Sequence, residues 1–194
     1  MRPGGRTARN RVTILDATVA ELIAHGYAGL TMDDVALRAG VSKSTLYRRW
    51  GSRESLVVDA VETFAAAQAV VPDTGDIDED LRRWARSILA TLTGPVSGAL
   101  VRAVFGGAGN SPPVQDLRQR FWLTRSTLVV PMVQRAVVAG QLPVGTVPEE
   151  VIKHVGAPLY YRLLVLGEAL SPEAADLAAA GTAVAARAGV FVRR

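Results

Sequence analysis

The chain has 194 residues, 49% of them hydrophobic and 21% charged, with a formal net charge of +4 and no cysteine. So much apolar surface marks a folded globular protein. The lack of cysteine excludes disulfide frameworks, zinc fingers and thiolate metal sites, and points to a reducing cytoplasm. No run of about 18 apolar residues offers a membrane span, and Asp16, Glu21 and His25 interrupt the stretch that would have to follow an export signal's basic start.

Taken in chain order, Arg2 and Arg6 fall in residues 1–8, a short basic arm. Val12, Leu15, Val19, Leu22 and Ile23 repeat at helical spacing, which predicts a first helix from about Arg9 to His25, ended by Gly26 in a left-handed conformation. Thr31 is placed to cap a second helix, with Asp34 at its third position, and Gly40 ends it. Ser42 opens a short helix through Arg48, and Ser52 opens a longer one carrying Leu56, Ala60, Phe64 and Ala67 on one face. The stretch 71–76, with Pro72 and Gly75, breaks the pattern and reads as a joint between domains.

Helices continue beyond it. Ile77, Leu81, Trp84, Ile88 and Leu92 form one stripe, and Leu100, Val101, Val104 and Phe105 another, before a glycine-rich loop over 106–113. Leu117, Phe121, Thr124, Leu128 and Met132 predict a long helix ending at Gly140 and kinked at Pro131. Pro148 opens a helix carrying Val151, Val155, Leu159, Leu163 and Leu166, with Pro158 inside it; Ser171 and Pro172 open a last, Ala-rich helix to about Ala188. The fold expected is all-α, with about nine helices.

Charge separates the two halves. Residues 1–53 hold nine Lys/Arg against four Asp/Glu, whereas residues 54–194 hold thirteen against fourteen. A basic excess confined to one end suits a phosphate backbone, which such a patch binds by releasing counterions. Within it, residues 31–50 have the parts of a helix-turn-helix: a capped helix with small Ala36 at the crossing, the Gly40 turn, and a second capped helix locked by Val35, Val41 and Leu46. Ser42, Lys43, Ser44, Thr45, Tyr47 and Arg48 are left on the polar face, where a short helix can enter the major groove.

The stretch GVSKSTLYRRWGSRESL, preceded by AHGYAGLTMDDVA, resembles the N-terminal signature of the TetR family of bacterial repressors over about residues 9–68, and GAPLYYRLLVLGEALSPEAADLA resembles its C-terminal half. That resemblance implies a three-helix DNA-binding domain (residues 9–70). A linking helix joins it to a helical ligand-binding and dimerisation domain (residues 77–194). It also implies phosphate contacts from Thr31 and Tyr47, groove contacts from Lys43, Ser44 and Thr45, and a backbone clamp at Arg53. At Arg48, Arg49 and Trp50 the sequence departs from the commoner histidine or tyrosine followed by phenylalanine, so no base-reading role carries over there; Arg48 and Arg49 stay candidate DNA contacts, and Trp50 reads as a packing residue at the end of the recognition helix. The function expected is a cytoplasmic homodimer on palindromic operator DNA, a repressor released by a small, largely apolar effector; an architectural DNA binder without ligand control is the alternative.

Trp84, Phe121, Trp122 and Tyr160 are candidate walls of the effector cavity, because proline-bent helices leave space between them. Leu177, Gly181, Val184 and Ala188 recur on one face of the last helix as a candidate dimer contact, and helix four is the expected lever between effector and DNA. His25 and His154 are too far apart in sequence for a histidine metal cluster, with His154 a possible ligand contact, and the acidic run 73–80 reads as helix-start charge rather than a calcium loop. No cofactor is implied, and no nucleophile elbow, phosphate-binding loop or metal motif supports an enzyme.

Overall fold

The computed structural model describes residues 4–65, 71–107 and 112–193. The described residues form nine α-helices: α1 (Gly4–Gly29), α2 (Met32–Ala39), α3 (Lys43–Trp50), α4 (Arg53–Ala65), α5 (Ile77–Thr93), α6 (Pro95–Val101), α7 (Pro112–Val138), α8 (Pro148–Leu164) and α9 (Pro172–Arg187). A π-helical turn, Arg102–Gly107, follows α6. The one β-interaction among the described residues is an isolated bridge between Thr146 and Val192. The all-α class is therefore as the periodicity indicated.

The chain divides into two compact units, and their limits differ from the expected 9–70 and 77–194. One unit holds residues 1–68 together with 95–121, and the other holds 69–94 with 122–194. The reason is apolar burial: Leu100, Val104 and Val114 join Ile14, Leu22, Leu30, Val35, Leu46 and Leu56 in a single core. Of the arm expected over residues 1–8, residues 4–8 belong to α1, and residues 1–3 lie outside the described part. At the other end of α1, Gly26 takes a positive φ of 66°, but helical bonding resumes to Gly29 after a kink instead of stopping.

Caps follow the sequence closely. Thr31 accepts from the Asp34 amide, Ser52 from that of Ser55 at 3.1 Å, and Ser171 from that of Ala174 at 3.3 Å. Ser42 occupies the cap position of α3 without capping through its side chain: its hydroxyl instead lies 2.9 Å from both the Ser44 and Thr45 hydroxyls. The helix then extends to Trp50, two residues past the expected Arg48.

In the second unit α5 packs against α8 and α9. The stripe Ile77, Leu81, Trp84, Ile88 and Leu92 is buried, and Ala175, Ala178, Ala179, Ala183 and Ala186 give α9 a low-relief face that allows close approach. Arg86 grips Asp176 through two bonds of 2.8 and 2.7 Å, tying α5 to α9. The acidic run is distributed among separate partners, some in its own turn and some on α7 and α9. Asp76 caps α5, Asp78 pairs with Arg187, Asp73 pairs with Arg135, and buried Asp80 accepts from the Thr74 amide and hydroxyl. Among the described residues no acidic or histidine group is arranged to hold a metal.

Two expected stripes shift. On α7, Thr124 and Leu128 are exposed, while Val129, Met132, Val133 and Ala136 are buried, and the helix continues through Pro131. On α8, Val151, Val155 and Leu159 are buried, but Leu166 is exposed beyond the helix end. No single described helix is long and apolar enough to cross a membrane.

Candidate nucleic-acid interface

The turn between α2 and α3 begins at Gly40, whose φ of 64° places its amide on the Ala36 and Leu37 carbonyls. The Val41 amide also bonds the Ala36 carbonyl, at 3.0 Å. Val35 and Leu46 are fully buried and Ala36 is nearly so, which fixes the crossing of the two helices. With Leu46 pointing inward, the other face of α3 presents Lys43, Ser44, Tyr47, Arg48 and Arg49 to solvent, with Thr45 half-buried. The arrangement is an eight-residue helix offering hydroxyl, phenol, ammonium and guanidinium groups from a rigid base. Such donors suit phosphate oxygens and the acceptor-rich edges of guanine.

The other expected contacts are engaged within the protein. Thr31 is exposed, and its hydroxyl lies 2.5 Å from Asp34 Oδ2 while accepting from the Asp34 amide at 3.1 Å. Lys43 is ion-paired with Asp33. Arg53 donates to the Leu30 carbonyl at 3.3 Å and sits 4.4 Å from the centre of the Tyr27 ring, so it clamps the start of α4 onto the segment between α1 and α2. The Tyr27 hydroxyl donates to Glu54 at 3.0 Å, and burial together with that carboxylate pushes the phenol's pKa up.

Trp50, read as a packing residue, is half-buried, and its indole Nε1 donates to Asp59 Oδ2 on α4 at 2.9 Å. Arg11 holds the same carboxylate with two nitrogens, Nε at 3.2 Å from Oδ2 and Nη2 on Oδ1. Burial raises the Asp59 pKa, but the bonds from Arg11 and Trp50 and the charges of Arg11 and Arg49 outweigh it, leaving the carboxyl below its ordinary value. Asp59 was not legible in the sequence, since a lone Asp in a helix carries no local signal of partners 48 and 9 positions away. Glu21 was equally hidden: it is 4% exposed and accepts from Arg38 of α2 at 2.6 Å, and His25 Nε2 stands 3.5 Å from its second oxygen.

Of the four aromatic residues expected around an effector, three lie together in the second unit. Trp122 and Tyr160 meet at 5.3 Å between ring centres, and the Arg125 guanidinium stands 5.8 Å over the Trp84 ring. Burial pushes the Tyr160 phenol up to about 12 and lowers the Arg125 pKa. Trp84 is 3% exposed, and its indole N–H is buried without a hydrogen-bond partner. Phe121 belongs to the first unit, where it meets Phe105 edge-on at 5.7 Å. His154 is engaged elsewhere: the Thr182 hydroxyl donates to the Ala178 carbonyl at 2.7 Å, leaving its oxygen to accept from His154 Nδ1 at 3.0 Å. Leu177, Gly181 and Val184 are exposed on α9, and Ala188, its C-cap residue, is exposed just past its end.

Residues 14–60 match the family described as bacterial regulatory proteins, tetR family, and residues 71–181 match the tetracyclin repressor-like C-terminal domain. The HTH-type transcriptional regulator AqdR of Rhodococcus erythropolis is 33% identical over 162 residues, covering 84% of this chain and 78% of that protein. The crystal structure of the TetR family transcription regulator SCO0332 superposes with a TM-score of 0.71 at 26% identity, covering 90% of this chain and 97% of that one. The flavonoid-responsive regulator FrrA has a TM-score of 0.63 at 25% identity, over 90% of this chain and 93% of its own.

Proposed function

This chain belongs to the TetR family of helix-turn-helix transcriptional regulators, and on that footing we propose that it is a homodimeric repressor whose α3 helices read a palindromic operator. The observation that carries the reading is the rigid α2–α3 pair, with its apolar side buried on Val35 and Leu46 and its polar side in solvent. Ser42, Lys43, Ser44, Thr45, Tyr47, Arg48 and Arg49 are the proposed contacts on and beside α3, with Thr31 and Arg53 at its flanks. A single eight-residue helix reads too few bases for specificity, so two copies would read half-sites about 34–36 Å apart or a multiple of that. The exposed face of α9 around Leu177 and Val184 is the proposed contact between copies.

An effector in the second unit would release the operator. Trp84, Trp122 and Tyr160 supply aromatic surface, and the unpartnered Trp84 N–H supports a ligand that carries a hydrogen-bond acceptor on its apolar body. Because FrrA is flavonoid-responsive by name, flavonoids lead the compounds to try. Release requires the ligand to bind the DNA-incompetent state better, since equal affinity shifts nothing. Helix α4 remains the proposed lever; its expected far end, residues 66–68, lies outside the described residues.

The experiment is operator selection from a random duplex pool, followed by a flavonoid panel scored by thermal shift and by release of the selected duplex. Recovery of a palindrome and its release by a stabilising compound support the function. Failure to enrich any sequence would sink the DNA reading, and stabilisation without release would sink effector control alone.

A further inference from the structure

We propose that Asp59 of α4 is a positioning residue for DNA recognition, holding the reading helix in its pose through the Trp50 indole. The proposal rests on α3 being the DNA-reading element. Little else holds α3: the helix has eight residues and one fully buried side chain, Leu46, with the Trp50 ring half-buried against the same core. A single buried side chain on two turns fixes where a helix sits but only weakly fixes its roll about its own axis. The N-terminal end gains a second constraint from the Gly40 turn. At the C-terminal end the directional constraint, added to the packing of the Trp50 ring, is the 2.9 Å bond from Trp50 Nε1 to Asp59.

Asp59 is suited to the task because it is itself held. Arg11 of α1 takes both its oxygens, and a nitrogen of the same guanidinium also donates to Thr63 Oγ1 at 2.9 Å on the next turn of α4. One carboxylate thus joins α1, α3 and α4, and its charge strengthens each bond. The anchor extends to the exposed face, since the Arg49 guanidinium lies 5.0 Å from the centre of the Trp50 ring. Fixing the indole therefore also limits where Arg49 can reach. Phenylalanine in place of Trp50 would fill much of the same space but has no N–H to give, so this tie depends on the indole itself.

The test uses the full chain, a duplex recovered by selection with wild-type protein, and a scrambled duplex of equal length, with affinities read by fluorescence anisotropy. W50F and D59A are each expected to weaken the selected duplex about five- to tenfold, the scale of one hydrogen bond, and to leave the scrambled duplex unchanged. The double variant should be no weaker than D59A alone, because both changes break one link, and D59N should recover part of the loss by keeping an acceptor oxygen. Wild-type affinity in W50F, single losses that multiply in the double variant, or equal losses on both duplexes would each overturn the proposal. Should D59A fold poorly by thermal melting, the comparison of W50F with D59N decides the matter. If wild type itself binds selected and scrambled duplexes alike, the DNA reading fails first and the proposal falls with it.

Discussion

Lys43, the first residue of α3, is ion-paired with Asp33 in the first turn of α2, and both side chains are more than half exposed, at 59% and 56%. An exposed pair of this kind is worth at most about 1 kcal/mol, so Lys43 can leave Asp33 for a phosphate at little cost. D33N should therefore tighten binding to any duplex by up to about fivefold. K43A should weaken it and reduce the slope of log affinity against log salt by about 1. Tyr47, 52% exposed beside buried Leu46, should behave like Lys43: Y47A loses affinity with its circular dichroism and melting curve unchanged. An unchanged salt slope in K43A would mean that the lysine meets no phosphate.

Asp59 gives a pH signature. Its carboxyl is held below the unfolded value of about 3.9, so its contribution to stability is present above that pH and is lost as pH falls through the lower folded value. D59A should be less stable than wild type by about 1–3 kcal/mol near neutrality, because Arg11 and Trp50 lose their acceptor. The gap should close in urea melts as pH drops below about 4. A gap that stays constant down to pH 2 would place the cost in packing and not in the charge.

Gly40 isolates backbone strain from crowding. Its φ is 64°, and a methyl group added there would meet nothing within 4 Å. G40A should then cost only the left-handed penalty of about 1–2 kcal/mol, and G40N less, because asparagine tolerates that conformation. Chemical denaturation of the two variants measures the difference; equal losses would argue against conformational strain as the cause.

The face of α9 is tested by charge. Leu177 and Val184 are 65% and 69% exposed, and Gly181 between them has open space above it. L177E with V184E should leave the fold intact and shift the protein to monomer in light scattering at micromolar concentration. Operator affinity should fall with it, since two linked half-sites bind far better than one. A dimer that survives both charges would place the contact elsewhere.

The helix-turn-helix was legible because its determinants are local. Thr31, Gly40 and the burial of Val35 and Leu46 follow from spacing within twenty residues, and each side chain is where that spacing puts it. The α5 stripe was legible for the same reason, as all five of its residues are buried on one face. The shift on α7 was not, because Thr124 and Leu128 fit the helical period as well as Val129 and Val133 do, and only the neighbours decide which set is covered. Phe121 shows the same limit, since periodicity placed it on a helix but could not say which unit that turn of the helix joins. The partners of Trp50 and Glu21 depend on side chains meeting across helices, which no short-range pattern encodes.

The make-up of the first core bears on modularity. Leu100, Val104 and Val114 are buried with Ile14, Leu22 and Leu56, although they come from a stretch separated in sequence from the helix-turn-helix by the whole of α5. The reading head is therefore not a cassette that ends where its motif ends. A chimera that grafts residues 1–70 onto the C-terminal half of another regulator would keep every proposed DNA-contacting side chain and yet lack the part of the core that packs against α1. Recombination at that seam should yield folded hybrids only when the acceptor brings apolar side chains that fit where residues 95–121 sit here, which makes this segment, and not the recognition helix, the natural limit on exchanging specificities between such proteins.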